Sequence, residues 1–171
     1  MARINRLRAA RARSHQEFCV AYGGTLDADD PFTALLIHDG RADQPWSRID
    51  VKRNIVSIAD HAGDFVALSD EGDVYWLREG DVRREKIPGA GVHSEDATGR
   101  GAMQALGIIG GRLAACGFGG QVYGRDAGGA WSPMGAPTRP GKVSRGSCCG
   151  PSLRIAATWS CAAMPSRTIS A

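Results

Sequence analysis

Between residues 15 and 137 short apolar runs alternate with tight polar breaks, the pattern of strands joined by turns. Phe18–Tyr22 is the first run, closed by Gly23-Gly24, and Thr25–Pro31 reads as a polar loop. Phe32–His38 follows, then the turn signal Asp39-Gly40 and a short edge segment, Trp46–Asp50. The next stretch is more regular. Ile55–Ile58, Phe65–Leu68, Val74–Leu77 and Val82–Ile87 are separated by turns at Gly63-Asp64, Asp70–Gly72 and Glu79–Asp81. Loops this short join antiparallel neighbours, so the stretch predicts a four-stranded meander. After a polar connector, residues 89–101, the pattern returns as Met103–Ile109, Leu113–Cys116, Gln121–Tyr123 and Ala130–Met134.

The two regular stretches superimpose at an offset of 48 residues. Ala67 falls on Ala115, Gly72 on Gly120, Val74 on Val122 and Tyr75 on Tyr123, a shared skeleton A-x4-G-x-V-Y. A weaker first copy runs from His15 to Asp50, its closing Trp46-Ser-Arg-Ile matching Trp131-Ser-Pro-Met. A small sheet with two apolar faces cannot bury both alone, and stacking against copies of itself buries them. Four strands in a period of roughly 40–50 residues is the propeller pattern. Ala67 and Ala115 are then expected where inner strands crowd towards an axis, and the turn glycines where φ is positive. The expected fold is all-β, a partial β-propeller of about three four-stranded antiparallel blades with irregular termini, the blades at about 15–50, 55–88 and 103–136.

The run Leu113–Trp131 (LAACGFGGQVYGRDAGGAW) resembles blades of bacterial propellers with WD-like, YVTN or BNR-type repeats. The run ALSDEGDVYW also resembles repeats of the regulator-of-chromosome-condensation type. Ser69-Asp70-Glu71-Gly72 places its Asp and Gly one position early for the BNR Asp-box. The resemblance covers about residues 15–137 and implies a fold more than a function, because propellers host unrelated activities.

Both ends depart from this texture. Residues 1–14 form a basic lead, with Arg3, Arg6, Arg8, Arg11 and Arg13 and no acid, and their Ala/Arg content predicts a short helix or a solvated arm. Residues 138–171 carry five cations and no acid, and read as a disordered tail or as the out-of-frame product of a truncated gene. Removing those ten charges from the net +3 leaves residues 14–137 at −7, so the basic whole-chain pI is no argument for nucleic-acid binding by the folded body. The five cysteines, Cys19, Cys116, Cys148, Cys149 and Cys161, include no C-x-x-C pair, which predicts free thiols in a reducing cytoplasm. No apolar run reaches the length of a membrane span.

Catalytic chemistry has no foothold in the pattern. His15, His38, His61 and His93 have no metal-ligand spacing. The carboxylate pairs Asp29-Asp30, Asp70-Glu71 and Glu95-Asp96 fall in expected turns, where acids are common. Gly23-Gly24, Gly110-Gly111 and Gly117–Gly120 do not open helices, so they are strand turns and not phosphate loops. Trp46, Trp76 and Trp131 recur near blade ends, as packing residues. The expectation is therefore no catalytic, cofactor or metal residue, and a non-catalytic protein-interaction module that contacts an unidentified protein through loops 25–31 and 89–101. Self-association through an exposed blade edge is expected as well. The alternative is the remnant of a propeller enzyme acting on carbohydrate.

Overall fold

The computed structural model describes residues 4–135, apart from 28–29, 42 and 79–80. Residues 138–171, the expected tail, lie outside the described residues. The short runs become three four-stranded antiparallel sheets. The first holds β1 (Ile4–Ala12), β2 (Glu17–Asp27), β3 (Asp30–Asp39) and β4 (Trp46–Val51). The second holds β5 (Ile55–His61), β6 (Asp64–Ser69), β7 (Asp73–Arg78) and β8 (Asp81–Lys86). The third holds β9 (Met103–Ile109), β10 (Arg112–Gly117), β11 (Val122–Arg125) and β12 (Trp131–Pro133). Strands pair in chain order within each sheet, and β1 packs beside β5 as β5 packs beside β9.

The arginine-rich lead corrects the expectation of a helix or a loose arm. Residues 4–12 are β1, paired with β2 from Ile4 opposite Gly24 to Ala12 opposite Phe18. Helix propensity is worth only tenths of a kcal/mol per residue, and a neighbouring strand with open hydrogen-bonding groups outweighs it. Arg13, just beyond β1, ties the first hairpin to the second sheet through Asp60 Oδ1 at 2.9 Å and stacks 4.6 Å from the Phe65 ring centroid. With these arginines inside the fold, residues 4–135 carry −3 rather than the −7 assigned to 14–137. Residues 25–31 are corrected too: β2 and β3 extend through Asp27 and from Asp30, making this a hairpin end and not a loop.

The central strands of the second sheet, β6 and β7, are buried on both faces, which is why they read as continuous apolar runs. On β6, Phe65 and Ala67 join a cluster with Cys19, Leu35 and Val51 of the first sheet. Val66 and Leu68 point the other way, into a cluster with Met103, Leu106, Leu113 and Tyr123 of the third. On β7, Tyr75 and Leu77 face the first sheet while Val74 and Trp76 face the third. The repeat identities are cross-strand neighbours: Ala67 sits opposite Tyr75, and Ala115 opposite Tyr123. The alanines lie on the second strand of their sheets, and their small size leaves room beside a buried tyrosine ring.

A polar latch closes the seam between the second and third sheets. Glu85 on β8 accepts two bonds from the Arg125 guanidinium, at 2.8 and 2.9 Å, and one from Trp131 Nε1 at 3.0 Å. Arg125 also lies 4.6 Å from the centroid of Trp76. Burial alone would raise the Glu85 pKa, but the Arg125 and Trp131 donors outweigh it and hold it below the ordinary carboxylate range.

The hairpin turns repeat at the same offset. Gly110 and Gly111 both take positive φ, 56° and 78°, and so do their counterparts Ala62 and Gly63, at 53° and 85°. Both are two-residue turns of the kind that matches strand twist. Ala62 holds a left-handed conformation that an L-residue adopts only at a cost.

This packing and these turns set the expected effect of three substitutions. Glu85→Ala, which strands a guanidinium and an indole N–H, should lower unfolding free energy by about 2–3 kcal/mol in urea titration. Asp50→Ala, which removes an exposed ion pair with Arg48, should change it by less than about 0.5 kcal/mol. Ala62→Gly, copying Gly110, should raise stability by about 0.5–1 kcal/mol in the same assay, and a loss would show that the turn is unstrained.

Candidate functional site

The connectors between sheets, residues 52–54 and 87–102, meet the β6–β7 turn on one side of the molecule. Together they border an open cleft of about 510 Å3 lined by Pro31, Arg53, Asn54, Asp70, Glu71, His93 and Ser94. Pro31 comes from the first of the two segments expected to make contacts, and His93 and Ser94 from the second. The fold therefore brings both segments to one place.

The floor of the cleft is a polar network built on the β6–β7 turn. Gly72 turns the chain at φ +82°, and a Cβ there would lie 2.6 Å from Ala90 Cβ, so the repeat glycine is required twice over. The next residue, Asp73, has 1% of its side chain exposed. Arg53 Nε donates to its Oδ2 at 2.8 Å, and Arg84 Nη2 to its Oδ1 at 2.7 Å. Burial opposes its ionisation, but the Arg84 and Arg53 hydrogen bonds prevail and lower its pKa. Gln121 occupies the same repeat position in the third sheet. It is 1% exposed, and its Nε2 donates to Gly101 O at 2.8 Å. Each buried polar side chain ties its own turn to the connector arriving from the preceding sheet.

Glu71 and Asp70 differ sharply in environment. Glu71 accepts the backbone amides of Val92 and His93 at 3.1 and 2.9 Å, and His93 Nδ1 lies 2.9 Å from its Oε1. Burial works against the charge, but these donors hold the pKa below the ordinary range. Lys86 donates to the Glu71 carbonyl and to Ser94 Oγ at 2.6 Å, pinning the connector over the turn. Asp70 has weaker support. Burial raises its pKa and the charge of neighbouring Glu71 adds to that, while Asn54 Nδ2 at 3.0 Å, the Glu71 backbone amide and the charge of Arg8 oppose it without cancelling it. Among the described residues no cation lies within ion-pair distance of it.

The other candidates are not gathered into a centre. His15 is exposed at the β1–β2 turn, His38 stacks in an aromatic cluster, and His61 lies 6.0 Å from Trp76. Among the described residues no three metal-type side chains converge. Asp96 accepts the Gly89 amide at 2.6 Å and shapes the connector, while Asp29 lies outside the described residues. Cys19 is buried and its thiol is pushed up to about 12; Cys116 is exposed, and both are free. Trp76 and Trp131 are buried in the seam as expected, but Trp46 is 54% exposed. Asp73 and Glu85 were missed at the level of sequence. The trace of Asp73 is the x before V-Y in the repeat, which is polar in both copies.

The two aspartates predict opposite pH behaviour. The folded pKa of Asp73 is depressed, so its stabilisation is present above the unfolded value near ~3.9 and is lost as pH falls through the folded one. Asp73→Asn should cost about 2–3 kcal/mol at neutral pH and flatten the acid limb of a stability profile below about pH 4. The folded pKa of Asp70 is raised, so its ionisation destabilises the fold as pH climbs from the unfolded value upward. Asp70→Asn should therefore raise the Tm at pH 7, and a Tm below wild type would contradict this account of the cleft.

No protein-family model matches the chain, and no curated protein matches it.

Proposed function

We propose that the chain is a partial β-propeller acting as a non-catalytic protein-interaction module, and that its connector-side cleft takes a cationic side chain of a partner protein. The three stacked sheets with their first strands in a row, and the A-x4-G-x-V-Y repeat that builds two of them, support the propeller reading. The observation that carries the binding reading is Asp70: a half-buried carboxylate lining an open cleft, held by Asn54 and the Glu71 amide and felt by Arg8, but with no cation within ion-pair distance among the described residues. A buried charge without a partner is costly, so an arriving guanidinium or ammonium gains more there than at an exposed acid. The −3 charge of residues 4–135 favours the same partner. The cytoplasm is the compartment assigned with this reading, supported by the two free thiols among the described residues. Among those residues no helix is long and apolar enough to cross a membrane.

The test is a 15N-NMR titration with acetyl-arginine amide and short Lys/Arg peptides, against Asp/Glu peptides and a neutral oligosaccharide. Basic probes should shift the Asn54, Asp70, Glu71 and His93 resonances, and Asp70→Asn should weaken binding at least tenfold. Unmoved cleft resonances would overturn the reading. Shifts produced by the oligosaccharide and not by the basic probes would replace it with the carbohydrate-acting alternative.

A further inference from the structure

The first and third sheets each pack one face against the second. Their other faces have no covering sheet among the described residues. Register fixes what those faces correspond to. Ile58, Ala67, Tyr75 and Arg84 lie across the second sheet, as Leu106, Ala115, Tyr123 and Pro133 lie across the third. Their counterparts in the first sheet are Ala10, Val20, Leu36 and Arg48. In the second and third sheets this is the face that receives the preceding sheet. The outer face of the first sheet is thus a receiving face, and the outer face of the third is a donating one.

The two faces also differ in bulk at matched positions. At the seam between the second and third sheets, Trp76 of the donating face meets Arg125 of the receiving face. The counterpart of Trp76 on the third sheet is Gly124, and those of Val66 and Leu68 are Ala114 and Cys116. Bulk is reduced at these positions; the Met134 side chain lies over Gly124, beside a hollow of about 150 Å3 bordered by Ile109, Ala114, Gly124 and Met134. On the first sheet, the counterpart of Arg125 is His38, opposite Trp46 as Arg125 is opposite Trp131. His38 stands in a raised aromatic cluster, its ring centroid 4.9 Å from Phe18 and 4.8 Å from Trp46. The face that has glycine in place of tryptophan and the face that carries three rings occupy matched positions of one repeated interface.

We propose that a second copy of this chain covers these faces, the Phe18–His38–Trp46 knob of one copy entering the Gly124 hollow of the other. The contact is heterologous, joining unlike surfaces. The occupant is a second copy because knob and hollow are the two halves of an interface this chain already makes twice within itself. Two copies supply six sheets, within the four to eight at which propellers close; ring closure rests on the propeller reading, the contact itself only on register.

The test is sedimentation equilibrium of the full chain. Wild type should form a closed dimer of the 18.1 kDa chain. Gly124→Trp restores bulk at a position whose φ is not left-handed, where the new Cβ meets the flexible Met134 side chain. It should weaken association at least tenfold with the far-UV circular dichroism unchanged. His38→Asp, which charges the knob, is the second variant and should do the same. Mixing the two variants leaves one intact knob facing one intact hollow, so a heterodimer should form. A wild-type chain that stays monomeric at its solubility limit, or a Gly124→Trp variant that associates as wild type, would overturn the proposal. A ladder of larger multimers would overturn ring closure, and so the propeller reading, while leaving the contact.

Discussion

The two central strands of the second sheet have no face left for water, and that constraint organises the rest of the molecule. Phe65 through Ser69 and Asp73 through Leu77 are buried without a break. A strand buried on both sides must have an apolar partner on each. The first sheet supplies Cys19, Ala21 and Leu35 on one side, and the third supplies Leu106, Leu113 and Tyr123 on the other. Each fully buried large side chain contributes about 1.5–3 kcal/mol relative to exposure, so neither seam can open without a large loss.

Polar chemistry is confined to places this packing leaves over. Glu85 and Arg125 are held at the rim of the seam, where a half-desolvated ion pair fixes the angle of one sheet on the next. Asp73 and Gln121 are fully buried, but each answers a structural need, binding a turn to the incoming connector. Asp70 answers none of comparable strength. Its charge is disfavoured by the fold that holds it, and such a group is where a ligand has most to offer. The cleft is therefore distinguished less by its size than by a carboxylate whose hydrogen bonds do not offset the cost of its burial.

The same logic separates the two outer faces from ordinary surface. A repeated sheet carries a donating and a receiving face whether or not a neighbour is present. The third sheet has become shallow where the second is bulky, and the first has acquired a cluster of rings. Changes of opposite sign at matched register are what a mutual contact requires, and solvent exposure alone gives no reason for them.

Strand positions in the second and third sheets were legible because turn chemistry and apolar runs are local, and the 48-residue offset exposed the repeat without any model of contacts. The four skeleton residues could be named, yet not the fact that Ala67 and Tyr75 touch, since pairing register depends on the partner strand. β1 was illegible for a related reason. Its alanines and arginines favour a helix in isolation, and only the open edge of β2 makes them a strand. The candidate cleft was half visible: residues 25–31 and 89–101 stood out as segments between the regular strands and Asp70–Gly72 as a turn, but not that the three come together. By itself the sequence determined what short-range chemistry can encode, namely where strands begin and turn and that units recur. The tertiary structure alone decided which faces meet, which acids find a counter-charge and which does not, because burial and electrostatics are properties of neighbours brought from far along the chain.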